Sequence, residues 1–249
     1  MALGEAERQR IAGFRVVVSW PQSRFAPPPR PPASPRARLA GFIGVLLIVA
    51  GAAAVGVAVG AQDHAPQPSL SASGDIAPGA RGRGPWLRRS LPVSVDIPAI
   101  GVHSGLLRLG VNPDGTIQVP SLFGRADEAA WYKYSVTPGQ YGASVIEGHV
   151  DSRQGPAVFF RLGALRPGNR VEVRLADGVT AVFRVTGVRQ YAKSRFPARI
   201  IYGASRYAAL HLITCGGGFD FSTGHYMSST VVFASLVSSR RAARAADGA

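Results

Sequence analysis

The distribution of apolar and polar residues divides the chain into an N-terminal and a C-terminal part with different patterns. Residues 39–61 form an uncharged run rich in Gly, Ala, Val and Leu. About twenty apolar residues are enough to cross a bilayer as a helix, and this run has no polar face. We therefore predict a transmembrane anchor at residues 39–61, although Val59, Gly60 and Ala61 also resemble a signal-peptidase site.

The C-terminal part shows short runs of Val, Ile, Phe, Tyr and Thr separated by Gly, Pro, Asn and Asp, a pattern typical of β-strands. Such strands with little helix indicate a mainly β fold, either a closed barrel or a sandwich, and periodicity alone does not decide between them. Short helices fit only residues 126–132, 156–163 and 199–205. Strands are predicted at residues 93–98, 106–111, 116–119, 143–150, 170–176, 180–193, 208–215 and 229–237.

The segments around these two parts are predicted to lack a packed core. Residues 1–38 are basic and rich in proline, which is typical of an extended cytoplasmic tail. Residues 62–92 are rich in Gly, Pro, Ser and Arg, and we interpret them as an extracellular linker that holds the domain off the membrane. Residues 93–239 are then the folded domain, and residues 240–249 a disordered tail.

The formal net charge of +14 raises the question of nucleic-acid binding. Much of this excess lies in the flanking segments, and the predicted domain carries no nucleic-acid-binding motif, so no nucleic-acid partner is expected. The charge distribution instead predicts an orientation. Arg30, Arg36 and Arg38 precede the apolar run, whereas Asp63 is the first charge after it. Because Lys and Arg stay on the cytoplasmic side, we predict a single-pass protein of the cell membrane with its large domain outside.

The chain has one cysteine, so an intrachain disulfide is impossible. Cys215 ends the apolar run LHLITC and precedes three glycines, whose backbone allows a substrate to approach closely. His149 closes another predicted strand, SVIEGHV. A nearby imidazole is the usual means of activating a thiol, so the two residues are candidates for a nucleophile and an acid–base group, while structural roles stay open. Asp151 either orients the imidazole or caps a turn.

Other chemistries find no support in the sequence. His64, His103, His211 and His225 lack the spacing of a metal site, and there are no paired cysteines. The motifs HEXXH of metalloproteases, GXSXG of serine hydrolases and SHGC of cysteine-dependent L,D-transpeptidases are absent as well. We therefore expect neither a metal nor a cofactor.

Three stretches of the predicted domain resemble the sortase family, most closely its class F group from high-GC Gram-positive bacteria. Residues 212–215 (LITC) resemble the nucleophile motif and residues 148–151 (GHVD) the histidine motif, and the similarity covers residues 93–237. The resemblance implies a closed eight-stranded sortase-type β-barrel with short helices, preceded by one N-terminal transmembrane helix. It also implies that Cys215 and His149 are the catalytic residues.

The resemblance further implies a cysteine transpeptidase. The Cys215 thiolate would attack the threonine carbonyl of an LPXTG-like sorting signal and form a thioester, with His149 as general acid and then general base. An amine of a peptidoglycan precursor, or another amine acceptor, would resolve the thioester and attach the client protein to the cell wall. Two alternatives stay open: a barrel that binds sorting-signal peptides without turnover, and a thiol hydrolase that uses water.

One departure from the family pattern concerns an arginine that sortases place about twelve to fourteen residues after the nucleophile. Met227, Ser228 and Ser229 occupy these positions. Because that arginine steadies the developing oxyanion, the sequence predicts either a substitute group or a slow enzyme. Candidates by position, none of which is assigned a catalytic role, are Arg153, Arg161 and Arg195.

Overall fold

The computed structural model describes residues 64–75 and 84–241. Its strands are Pro92–Ile97 (β1), Val102–Leu109 (β2), Ala129–Tyr132 (β3), Gly142–Glu147 (β4), Asp151–Ser152 (β5), Gly155–Pro156 (β6), Arg170–Leu175 (β7), Val179–Ala192 (β8), Ala208–Asp220 (β9) and His225–Arg241 (β10). One α-helix covers Ala198–Tyr202 (α1), and short 3₁₀ helices cover Leu70–Ala72, Pro98–Ile100, Leu162–Ala164 and Lys193–Arg195.

Eight of these strands close into a barrel in the order β1-β2-β3-β4-β9-β10-β8-β7. Neighbours are antiparallel except in the pairs β2–β3 and β4–β9, which are parallel. The strands β5 and β6 form a separate two-stranded sheet. The predicted mainly β class is therefore confirmed, and of the two architectures left open by periodicity the closed barrel is the one observed.

The predicted tail and anchor at residues 1–38 and 39–61 lie outside the described residues. Within residues 64–75 and 84–241, no helix is both long and apolar enough to cross a membrane.

Alternating side chains along β4 and β9 are buried on both faces of the sheet. Ile146 and Leu212 point into the main core of the barrel. Their neighbours Val145 and Ile213 lie in a second apolar layer on the outer face, where Ile201 of α1 covers them. Burial on both faces explains why these strands are almost continuously apolar in sequence.

Two predicted elements were wrong. Residues 116–119 form no strand and contribute only the isolated bridge between Val111 and Ile117. The stretch 126–132, predicted as a helix, instead contains β3, which pairs with β2 and β4. The tertiary pairing of the buried segment AAWY overrides its local helix propensity.

Other predicted elements differ mainly in length. The predicted helix at 156–163 is reduced to the 3₁₀ turn Leu162–Ala164, and the one at 199–205 corresponds to α1. The strands β9 and β10 extend well beyond their predicted bounds because they pair with each other as one long hairpin. The glycines that follow Cys215 are therefore part of a strand and not of a loop.

Residues 65–75, here called the strap, lie along the barrel ahead of β1. Ala72 is fully buried in the main core. The guanidinium of Arg189 on β8 donates hydrogen bonds to the carbonyls of Ser73 and Gly74, both at 3.2 Å. A part of the segment interpreted as a linker is thus held against the barrel.

Candidate active site

The parallel pairing of β4 and β9 brings the two predicted catalytic residues to neighbouring positions, with His149 just beyond the end of β4 and Cys215 within β9. The ladder pairs Glu147 with Ile213, and it continues as the Gly148 N–H donates to the Ile213 carbonyl at 3.1 Å. His149 and Cys215 each follow two residues after the Glu147–Ile213 pair. Since adjacent strands lie about 4.8 Å apart, the register places the two residues side by side.

Cys215 of β9 belongs to a small buried cluster next to His149. It is 5% exposed and packs with Val150, the residue after His149. Tyr226 of β10 and Ala65 of the strap pack against the same cluster. The strap therefore forms part of the cover over the thiol.

His149 is 4% exposed, and its Nε2 lies 2.6 Å from the carbonyl oxygen of Pro120. A ring nitrogen at this distance from a carbonyl carries the proton and donates it. Burial lowers the pKa of His149, while the Pro120 carbonyl and the negative charge of Asp151 partly oppose this effect. The imidazole is therefore mostly neutral at pH 7.

Asp151 is linked to the thiol cluster through Tyr226. The Tyr226 hydroxyl donates a hydrogen bond to Asp151 Oδ2. Burial, this hydrogen bond to Asp151 and the charge of Cys215 all raise the pKa of Tyr226. The Asp151 side chain thus contacts Tyr226 and acts on His149 through its charge.

The arginines considered as substitutes are on the surface. Arg153, Arg161 and Arg195 are all exposed. Met227 is 63% exposed and lies where the pairing of β10 with β9 becomes irregular. Ser229, by contrast, is buried and is the cross-strand partner of Cys215.

A family comparison identifies the barrel domain. The family model described as the sortase domain matches residues 95–237. The chain belongs to the sortase family. A comparison with curated proteins gave no match.

Solved structures similar to this sortase have low sequence identity to it. Sortase A from Listeria monocytogenes is 13% identical with a TM-score of 0.46, and the match covers 63% of this chain and 93% of that chain. Sortase A from Corynebacterium diphtheriae is 16% identical with a TM-score of 0.45, covering 64% of this chain and 65% of that chain. A sortase from Actinomyces oris is 18% identical with a TM-score of 0.44, and the match covers 66% of this chain and 90% of that chain.

Glu147, which precedes His149 by two residues in this sortase, was not among the residues predicted from the sequence. Its side chain is buried, and Oε1 accepts a hydrogen bond from the Tyr202 hydroxyl at 2.8 Å, while Oε2 has no partner among the described residues. Burial raises the pKa of Glu147 to about 7. The signal in the sequence was an acidic residue inside the apolar strand ASVIEGHV.

The other buried histidine of the sortase, His211, is a structural residue. Its Nδ1 lies 2.7 Å from the Ile201 carbonyl, and its ring packs against Phe233. Burial lowers the pKa of His211 to about 4, so it is neutral at physiological pH. Across residues 64–75 and 84–241, no group of three or more His, Cys, Asp or Glu side chains is arranged to hold a metal ion.

Proposed function

We propose that this sortase is a membrane-anchored cysteine transpeptidase that cleaves an LPXTG-like sorting signal at the Thr–Gly bond. The client protein passes through a thioester on Cys215 to a cell-wall amine. The observation that carries the proposal is the register of β4 and β9, in which His149 and Cys215 each follow the Glu147–Ile213 pair by two residues. A thiol beside an imidazole is the arrangement that acyl transfer through a thioester requires. The LITC and GHVD motifs support a class F-like subtype.

The proposed reaction has two halves. The Cys215 thiolate adds to the threonine carbonyl, the C–N bond breaks, and the leaving amine takes a proton from the His149 imidazolium. The incoming amine then gives a proton to neutral His149 as it attacks the thioester and releases the thiolate. Because burial lowers the pKa of His149, only a minority of molecules carry thiolate and imidazolium together at neutral pH.

Mass spectrometry of the protein after incubation with an LPXTG-type peptide tests the reaction. We expect an acyl adduct on Cys215 that ends at the threonine, and no adduct in Cys215→Ala or His149→Ala. Addition of an amine should convert the released product from the acid to the amide. An adduct on any other residue contradicts the assignment of Cys215.

The absence of arginine at residues 227–229 favours a second candidate, a barrel that binds sorting signals without turnover. Tight peptide binding with neither adduct nor cleavage, even with an amine present, would establish that function instead. A thiol hydrolase would form the adduct but release the same acid whether or not an amine is added.

We also propose that residues 39–61 anchor the protein with its catalytic domain outside the cell. The full chain should stay in the membrane fraction after carbonate extraction. Protease added to intact cells should then digest the domain and spare an epitope at the N-terminus. Release by carbonate would instead indicate a cleaved signal sequence, and loss of the epitope would indicate the opposite orientation.

A further inference from the structure

Ser229 of β10 lies directly opposite Cys215 of β9. The antiparallel ladder pairs these two residues and continues without interruption through the pair Val231–Ile213. Residues directly opposite each other in such a ladder project from the same face of the sheet, with Cβ atoms about 5 Å apart. The Ser229 hydroxyl and the Cys215 thiol are therefore neighbours on one face.

The Ser229 hydroxyl is buried and has no hydrogen-bond partner among the described residues. The residue is 1% exposed, and within the part of the chain that the structure describes its Oγ makes no hydrogen bond. The next residues of β10 on this face, Val231 and Phe233, are apolar. An unpaired buried hydroxyl is costly, and what distinguishes this one is its place directly opposite the predicted nucleophile.

The two residues of β10 that precede Ser229 do not offer a comparable donor to the thiol, and the Tyr226 hydroxyl already donates to Asp151. Met227 carries no donor and its side chain is largely exposed. Ser228 pairs with Gly216, and its side chain lies against Gly217. Of the three residues at the positions where the family carries its arginine, Ser229 is thus the one that faces Cys215 with a hydrogen-bond donor.

We propose that Ser229 is a catalytic residue whose Oγ–H donates a hydrogen bond to the oxyanion of the acylation step, an inference that rests on the proposed transpeptidase function. When the Cys215 thiolate adds, the S–C bond forms and the carbonyl π pair moves to the oxygen. Ser229 stabilises this charge and keeps its own proton. When the C–N bond breaks, the pair returns to re-form the carbonyl, and the amine leaves with the proton of His149.

A serine in place of the family's arginine should lower the rate of acylation. A neutral hydroxyl is a weaker donor to an oxyanion than a guanidinium, because hydrogen bonds between charged groups are stronger. The proposed enzyme is therefore expected to be slower than one with an arginine.

The test compares Ser229→Ala with Ser144→Ala in single-turnover acylation by the peptide used above. Ser144 is a matched control because its side chain is also fully buried and its Oγ also lacks a partner. It pairs with Leu210, five residues and about 17 Å along β9 from Cys215. Both variants should melt at or above the wild-type temperature, since each deletes an unpaired buried hydroxyl.

We expect Ser229→Ala to lower the acylation rate constant by roughly a hundredfold, with little change in KM, and Ser144→Ala to acylate like the wild type. Ser229→Thr should recover part of the rate. Because a serine hydroxyl does not titrate in this range, the pH at half-maximal rate should stay unchanged in Ser229→Ala.

Two results would overturn the inference: a Ser229→Ala rate within twofold of wild type, or an equal loss in Ser144→Ala. A shift of the pH profile in Ser229→Ala would also count against it, since it would indicate an effect on Cys215 or His149. Failure of the wild type to form any adduct, by contrast, would refute the transpeptidase function itself.

Discussion

At the scale of single residues, the proposed chemistry depends on how often His149 is protonated. Burial lowers the pKa of its imidazole, and the Pro120 carbonyl and the Asp151 carboxylate act in the opposite direction. A general acid with a lowered pKa is protonated in few molecules at neutral pH, but it releases its proton more readily. The charge of Asp151 therefore helps to maintain the active protonation state.

We predict that Asp151→Asn lowers the pKa of His149 further. The substitution removes a negative charge that favours the imidazolium form of His149. Burial, which lowers the pKa, is then opposed only by the Pro120 carbonyl. The pKa is measured by NMR titration of the His149 Cε1 proton, and the acylation optimum should move to lower pH. Asp177→Asn is the control, because that carboxylate accepts a hydrogen bond from Val179 in a surface turn. An unchanged or higher pKa in Asp151→Asn would contradict the prediction.

The sequence alone was enough to predict Cys215 and His149 as candidates, because each stands near the end of an apolar run of the sequence within a recognisable motif. Ser229 and Glu147 were not predicted as site residues, because neither belongs to the motifs that identified Cys215 and His149. The importance of Ser229 arises from its pairing with Cys215, and that register depends on the length of the hairpin. Local patterns do not specify such pairing, since a shift of one residue would turn Ser229 to the other face.

At the scale of structural elements, the strap is fitted to the barrel close to the nucleophile. A Cβ on Gly163 would lie 1.9 Å from the Pro66 carbonyl oxygen, so only glycine allows the strap this close. The Gln67 side-chain oxygen accepts a hydrogen bond from the Gly217 N–H at 3.2 Å. Together with the packing of Ala65 against the Cys215 cluster, these contacts limit access to the thiol.

We predict that Gly163→Ala increases the rate at which N-ethylmaleimide modifies Cys215. The added methyl group forces the Pro66 carbonyl away, and overpacking of this kind costs about 1–3 kcal/mol. A loss of this size in strap binding raises the population of molecules with an accessible thiol by roughly 5-fold to 150-fold. Gly105→Ala is the matched control, because a Cβ there meets nothing within 4 Å. Equal modification rates in wild type and Gly163→Ala would show that the strap does not shield the thiol.

The strands that were predicted correctly are those with continuous apolar or alternating patterns, such as β7 and β8. The segment AAWY of β3 was misjudged because its composition favours a helix, whereas its parallel pairing with β2 depends on a distant partner. The strap was missed for a related reason. Its contacts need glycines at residues 163 and 187, and nothing in its own composition indicates burial.

At the scale of the whole molecule, the packing of α1 on the outer face of the barrel buries two ionisable groups between helix and sheet. Glu147 has its pKa raised to about 7 and His211 has its pKa lowered to about 4, with burial as the main cause in both. The two groups affect stability with opposite signs. The raised carboxyl pKa makes the folded state less stable as pH rises, whereas the lowered imidazole pKa makes it more stable as pH rises.

We predict that the stability of wild type relative to Glu147→Gln falls as pH rises from 4.5 to about 7. Protonated Glu147 contributes its full stability below the unfolded value of 4.5, and this is lost as pH passes the folded value of about 7. The shift corresponds to a loss on the order of 3 kcal/mol. Gln keeps an oxygen for the Tyr202 hydroxyl and cannot ionise, and the effect of His211 is common to both proteins.

Urea unfolding of both proteins at several pH values between 4.5 and 8 measures this difference. Glu172→Gln provides a control of opposite sign, because the hydrogen bond from Arg240 lowers the pKa of Glu172. Relative to Glu172→Gln, wild type should lose stability as the pH falls towards the lowered pKa of Glu172. It should lose none as the pH rises towards 8. If the curves for wild type and Glu147→Gln stay parallel, water reaches Glu147 in solution. The outer layer under α1 would then be open at this end of the barrel, beside His149.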